Sequence, residues 1–298
     1  MPTNIPTELH TIRDFLRYAT SRFNEAGLHY GHGTDNAWDE AASLILHTLH
    51  LPHSIHPAAL EAALVEAERH ALMALIEKRI SSRIPAAYLI HEAWFADLPF
   101  YVDERVLIPR SPMAELIENR FEPWVDPNNV NLILDLCTGS GCIAVACAKA
   151  FPDAIVDAVD ISQDALAVAK INVLKHVLED RLHLHQADVF QGLPNQQYDI
   201  IISNPPYVGK AEMLLLPPEY RHEPSLGLKA GETGLEIIQR ILSDASAYLK
   251  PHGILIVEVG NQTELMEDAF PGLPFTWLTF ARGEDGVFLL HANELPAN

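Results

Sequence analysis

The chain has 298 residues, 48% of them hydrophobic and 20% charged, a composition that suits a packed core and excludes a disordered chain. Forty acidic side chains against twenty basic ones leave a net charge of −20, a field that repels phosphate backbones and favours basic partners. The length predicts one large domain plus a smaller one. No apolar run approaches the roughly 18 residues of a membrane span, and the opening MPTNIPTEL lacks the features of a signal peptide, so a cytoplasmic location is expected. Cys137, Cys142 and Cys147 form no disulfide or zinc spacing and read as small buried residues in a reduced compartment.

The first eighty-odd residues read as helical. Leu9, Ile12, Leu16, Ala19, Phe23 and Ala26 follow three-four spacing, which puts one apolar stripe on one helix face. Gly27 and GHGTD end that helix. Asp35 is the expected cap of a second, carrying Ala41, Leu44 and Ile45 and closed by Pro52. A third helix is predicted from near Pro57 through Leu60, Leu64, Leu75, Ile76 and Ile80. His47, His50, His53 and His56 recur at every third residue, but Pro52 interrupts the helix and no metal site is predicted. Residues 93–109, AWFADLPFYVDERVLIP, read as a hairpin, and a helix is expected from about Met113 to Phe121.

From residue 131 short apolar runs alternate with helix-length stretches. NLILDLC, AIVDAVD, RLHLHQA, YDIIISN and GILIVEV are predicted strands, and GCIAVACAKAF and SQDALAVAKINVLKHV predicted helices. This alternation points to a parallel sheet covered on both faces. FTWLTFA and GVFLLHA, joined by a turn at RGED, close the chain as a strand pair whose last member runs antiparallel.

In such a sheet ligands bind at the carboxyl ends of the strands, near the point where strand order reverses. The first of these ends is DLCTGSGC, in which Cys137, Thr138, Gly139, Ser140 and Gly141 form a turn. Gly139 and Gly141 let the backbone approach a ligand without a clashing Cβ. Asp160 ends the second strand, placed to accept hydrogen bonds from a ribose diol. Asp188 follows the third, placed to meet an adenine amino group, with Val189 and Phe190 flanking the ring. Gly139, Gly141 and Ala144 also satisfy the dinucleotide fingerprint, so the glycines and Asp160 alone leave the cofactor open. Asp135 weighs on that choice. A carboxylate there suits the cationic methionine end of S-adenosylmethionine and repels a pyrophosphate.

The fourth strand runs directly into Asn204-Pro205-Pro206-Tyr207. An amide nitrogen shares its lone pair with its carbonyl and is a poor nucleophile, as a rotation barrier of about 18–20 kcal/mol attests. The Asn204 side-chain oxygen and the Pro205 carbonyl are two acceptors held by rigid rings, suited to fixing both N–H bonds of a planar NH₂ group. Tyr207 can stack on the flat amide near a sulfonium. Asn204, Pro205 and Tyr207 are therefore the expected catalytic residues, with Pro206 completing the substrate site.

DLCTGSGCIAVACA, NPPY and the upstream VLIPRSPMAELI closely resemble the protein-(glutamine-N5) methyltransferases, in the branch that acts on ribosomal protein L-three of the large subunit. The sister branch methylates release factors at a GGQ glutamine. It usually reads PRPDTE where this chain has PRSPMAE, and has a glycine where this chain has Cys137. The resemblance implies a class I, Rossmann-like fold with a seven-stranded, mostly parallel sheet, and S-adenosyl-L-methionine as cofactor. It implies a helical substrate-recognition domain over 1–90, a hairpin linker over 91–112 and a methyltransferase domain over 113–298. It assigns the loop Cys137 to Gly141, Asp160 and Asn204 to the cofactor, and Asn204 to Tyr207 to the glutamine. The family carries a large aromatic where this chain has Val189, so Phe190 is expected to stack on the adenine instead. The partner implied is a basic ribosomal protein, with a specific glutamine as target.

Three rivals remain. A nucleic-acid adenine methyltransferase shares the NPPY-type motif but wants a basic face, which twice as many acids as bases do not provide, so no sequence-specific nucleic-acid binding is expected. A dinucleotide oxidoreductase gives NPPY no task. A non-catalytic ribosome-assembly factor that only binds the cofactor is disfavoured by the intact acceptor motif.

Overall fold

The structure, a computed structural model, describes residues 5–281 and 286–296. The turn expected at RGED, 282–285, lies outside the described residues. The chain divides into two compact units, one made of 1–92 with 217–222, the other of 93–216 with 223–298. No described helix is long and apolar enough to cross a membrane.

The first unit is helical, with α1 (Ile12–Glu25), α2 (Ala37–Thr48), α3 (Glu66–Ser82) and the short α4 (Ala86–Ile90). Thr11 starts α1 through a capping box with Asp14, and the predicted stripe is buried at Leu16, Ala19 and Phe23. Two boundaries differ from expectation. Asn36 rather than Asp35 caps α2, because its side chain is the one that accepts the Asp39 N–H. Pro57 opens only a 3₁₀ turn over Pro57–Glu61, Ala62 is extended, and α3 begins at Glu66. Around a core of Phe15, Phe23, Leu44 and Leu72 this unit buries an ion pair, Arg79 Nε to Glu40 Oε1 at 2.8 Å. Glu219, from the segment that returns to this unit, lies 3.6 Å from Arg79 and 3.2 Å from Arg83. Among the described residues no histidine cluster forms a metal-holding group.

The second unit opens with a hairpin of β1 (Ala93–Phe95) and β2 (Leu98–Phe100), which packs Phe95 and Phe100 into its core. After α5 (Met113–Glu118) come β3 (Leu132–Leu136), α6 (Cys142–Ala150), β4 (Ile155–Asp160), α7 (Gln163–Lys175), β5 (Leu182–Gln186) and β6 (Tyr198–Ser203). Then follow α8 (Lys210–Met213), α9 (Ser225–Leu228), α10 (Glu236–Tyr248), β7 (Leu249–Glu258), α11 (Thr263–Ala269), β8 (Thr276–Leu278) and β9 (Val287–His291). One 7-stranded sheet has the order β5-β4-β3-β6-β7-β9-β8. Strands β3 to β7 pair in parallel, and β9 lies antiparallel between β7 and β8.

Alternate residues of the central strands serve the two faces. Ile133, Ile200 and Ile254 enter one core, and Leu134, Ile201 and Leu255 the other. Burial on both sides is why these strands are mostly apolar, with Asp135 in β3 and Asp157 in β4 as polar exceptions. The chain moves from β3 outward to β4 and β5, then crosses back to β6 and β7, so the carboxyl ends of β3 and β6 flank the reversal point.

Candidate active site

Beyond that reversal point lies a cavity of about 270 Å³ within the second unit. Its floor is the turn between β3 and α6, where Cys137, Thr138, Gly139 and Ser140 all line it. Two carboxylates brace this turn. Asp135, fully buried, accepts hydrogen bonds from the Thr138 hydroxyl (2.5 Å) and the Ala144 N–H (3.1 Å) through one oxygen. Asp160 accepts the Gly139 N–H at 2.9 Å through one oxygen and the Ser162 N–H at 2.9 Å through the other. Each Asp160 oxygen keeps acceptor capacity, and the side chain itself lines the cavity. Nothing lies within 4 Å of a Cβ built on Gly139, so the space above it is open. At Gly141, with φ +78°, a Cβ would come within 3.2 Å of the Ala169 Cβ, so this glycine serves the approach of α6 to α7. The two predicted loop glycines thus have different tasks.

Two residues of the floor and wall hold unusual backbone. Cys137 has φ +60°, and Val189 has φ +57° although it is β-branched. The first explains why glycine suits this position in the sister branch. Strain of this kind persists where surrounding structure fixes it, and both residues line the cavity. Burial raises the Cys137 thiol well above its ordinary value and pushes Cys142 up to about 12.

The remaining predicted residues are divided. Asp188 and Val189 line the cavity, and Asp188 pairs with Arg240 at 2.9 Å. Phe190 does not reach it. That ring is buried and stacks on Tyr248 at 4.6 Å, because the chain turns at Val189 and sends the next side chain into the core. The expectation that Phe190 covers an adenine is therefore corrected. On the apolar wall Val189 is joined by residues the sequence reading missed: Ile161, half exposed directly after Asp160, together with Ala187 and Ile237. An apolar residue following a strand-terminal acid was the available signal for Ile161.

At the β6 end Asn204 and Pro206 line the same cavity, while Pro205 is buried beneath them. The Ser203 hydroxyl donates to the Leu136 carbonyl at 2.9 Å and ties this corner to the end of β3. Tyr207 is not among the lining residues. Its hydroxyl donates to Glu258 at 3.2 Å. Arg110, in the segment before α5, also lines the cavity and makes a bidentate pair with Glu223 at 2.6 and 2.9 Å.

A cavity walled by a glycine turn, two strand-end acids and a proline-locked asparagine has the parts of a nucleoside-cofactor site opening onto a planar-nitrogen site. A methyltransferase small domain matches residues 122–215. The ribosomal protein uL3 glutamine methyltransferase of Burkholderia pseudomallei is 50% identical over 303 residues, covering 99% of each chain. That of Neisseria meningitidis serogroup B is 53% identical over 289 residues, 97% of this chain and 95% of its own. This chain belongs to the ribosomal protein uL3 glutamine methyltransferase family. Among solved structures, the hMettl16 catalytic domain in complex with MAT2A 3'UTR hairpin 6 aligns with a TM-score of 0.52 at 17% identity, over 80% of this chain and 87% of that one. At that identity the likeness concerns the fold alone. In this member of the uL3 glutamine methyltransferase family, class I topology and the NPPY corner stand on one sheet.

Proposed function

We propose that this protein transfers a methyl group from S-adenosyl-L-methionine to the side-chain amide nitrogen of a specific glutamine in ribosomal protein uL3. The observation that carries the reading is a single cavity shared by the glycine turn and by Asn204 and Pro206. The residues suit the cofactor. One Asp135 oxygen is buried with no hydrogen-bond partner and invites a cationic group, and open space stands above Gly139. Asp160 offers acceptors for a ribose diol, and Ile161 and Val189 offer apolar surface for a purine. When bound, S-adenosylmethionine supplies an electrophilic methyl group on a sulfonium.

The protein's own contribution is alignment. Asn204 Oδ1 and the Pro205 carbonyl accept the two N–H bonds of the glutamine amide and present its nitrogen face-on. Fixing both partners removes the entropy cost of meeting, the largest saving open to a site without a base. Fixed acceptor dipoles also meet the positive charge that develops on nitrogen as it takes the methyl group. One N–H proton then leaves to water. Domain roles follow: 113–298 would carry the chemistry, and the helical 1–90 would recognise substrate. A net charge of −20 favours a basic ribosomal protein in the cytoplasm over naked nucleic acid. Incubation with recombinant uL3 and isotope-labelled cofactor, followed by peptide mass mapping, is expected to place one methyl on one glutamine. Labelling of free nucleic acid instead would overturn the substrate class.

A further inference from the structure

The hydrogen bonds around β7 add a residue to the machinery. The register pairs Ser203 with Val257, so Asn204, just past the end of β6, follows in step with Glu258, the last residue of β7. Glu258 is 6% exposed. It accepts from the Ser111 hydroxyl at 2.5 Å and from the Tyr207 hydroxyl at 3.2 Å, and the Asn204 side chain is among the groups that hold its carboxyl down. A buried carboxylate with two separate chain segments gathered on it has been placed there at a desolvation cost. Its partners are the NPPY corner and the PRSPMAE segment, both adjoining the cavity.

We propose that Glu258 is the positioning residue of the NPPY corner, holding the Tyr207 hydroxyl and turning the Asn204 amide so that its oxygen faces the substrate nitrogen. An ionised carboxylate can only accept, so Asn204 must show it the NH₂ group, and Oδ1 then points the other way. Without that partner the amide can turn over and present a donor to a substrate NH₂, where two donors repel. Ser111 grips the carboxylate from the far side, which ties the orientation of Asn204 to the segment before α5. The inference rests on the reading of this cavity as a glutamine methylation site.

The charged and titratable groups facing Glu258 are Arg110, before α5, and Tyr207; Ser111 and Asn204 are neutral. Burial raises the Glu258 carboxyl, while Ser111, Tyr207, Arg110 and Asn204 hold it down. Protonation at low pH therefore removes the acceptor, and the wild-type kcat should fall on an acid limb above the ordinary carboxylate range.

The test is Glu258→Gln, with Tyr207→Phe as a second variant that keeps the carboxylate. With uL3 as substrate, Glu258→Gln should lower kcat about ten- to a hundredfold, the worth of one charge-assisted hydrogen bond. KM for uL3 and the calorimetric affinity for S-adenosylmethionine should stay within about twofold, and the acid limb should vanish. Tyr207→Phe should lower kcat less and keep the limb. Unchanged kcat in both variants overturns the role. So does a loss of cofactor affinity or of melting temperature in parallel with kcat, which would make Glu258 a mere brace of the fold. If wild-type enzyme leaves uL3 unmethylated, the functional reading itself fails; if wild type is active and the variants are unaffected, only the role of Glu258 fails.

Discussion

Asn204 enters the cavity from the end of β6 with buried Pro205 behind it, so its side chain can be removed without disturbing the core. Asn204→Ala should abolish methyl transfer, while the melting temperature stays within a few degrees of wild type, as for a partly exposed side chain outside the core. Turnover near the wild-type rate would remove Asn204 from the chemistry. Asp135 makes a different prediction. Burial lifts its carboxyl from 3.8 to about 7, against the hydrogen bonds from Thr138 and Ala144. The folded state therefore binds this proton more tightly than the unfolded chain. The stability it contributes is complete below pH 3.8 and is lost as pH rises through about 7. Melting curves across that window should show wild type losing ground relative to Asp135→Asn, and parallel curves would contradict it. The sequence displayed both residues but not their surroundings. Asp135 read as a ligand for the cofactor's cationic end, yet it also braces the turn from below, and its free oxygen is the part that keeps the first reading open.

At the level of elements, the approach of α6 to α7 turns on Gly141. Gly141→Ala places a methyl 3.2 Å from the Ala169 Cβ in a left-handed backbone, and should destabilise by about 1–3 kcal/mol, read from urea unfolding. The glycine turn would shift with it, so cofactor affinity should fall as well. Strands and helices of this unit were legible because both sheet faces are covered, which makes each central strand mostly apolar. Boundaries set by one side-chain bond were not. Asp35 and Asn36 are equally good caps in sequence, and only the direction of the side chain toward Asp39 separates them. Phe190 failed for a similar reason, since a single left-handed residue at Val189 sends the next ring to the opposite side. Arg240 and Glu258 had no local signal at all, because their partners lie about fifty residues away.

For the molecule as a whole, the route of the chain matters more than any contact in it. It leaves the sheet unit after Leu216, contributes 217–222 to the helical unit and returns at Glu223. There Glu219 is fully buried beside Arg79, which also pairs with Glu40. Arg79→Met should cost about 3–5 kcal/mol, since it strands a buried carboxylate, and a urea midpoint close to wild type would refute that. The same excursion bears on how the protein can be dissected. A truncation that begins at residue 93 would remove not only four helices but also the guanidinium groups that receive Glu219, and would turn a buried acid loose about a dozen residues after the NPPY corner. Inactivity of such a fragment would say little about substrate recognition, because the cut would have unmoored the stretch that follows the NPPY corner.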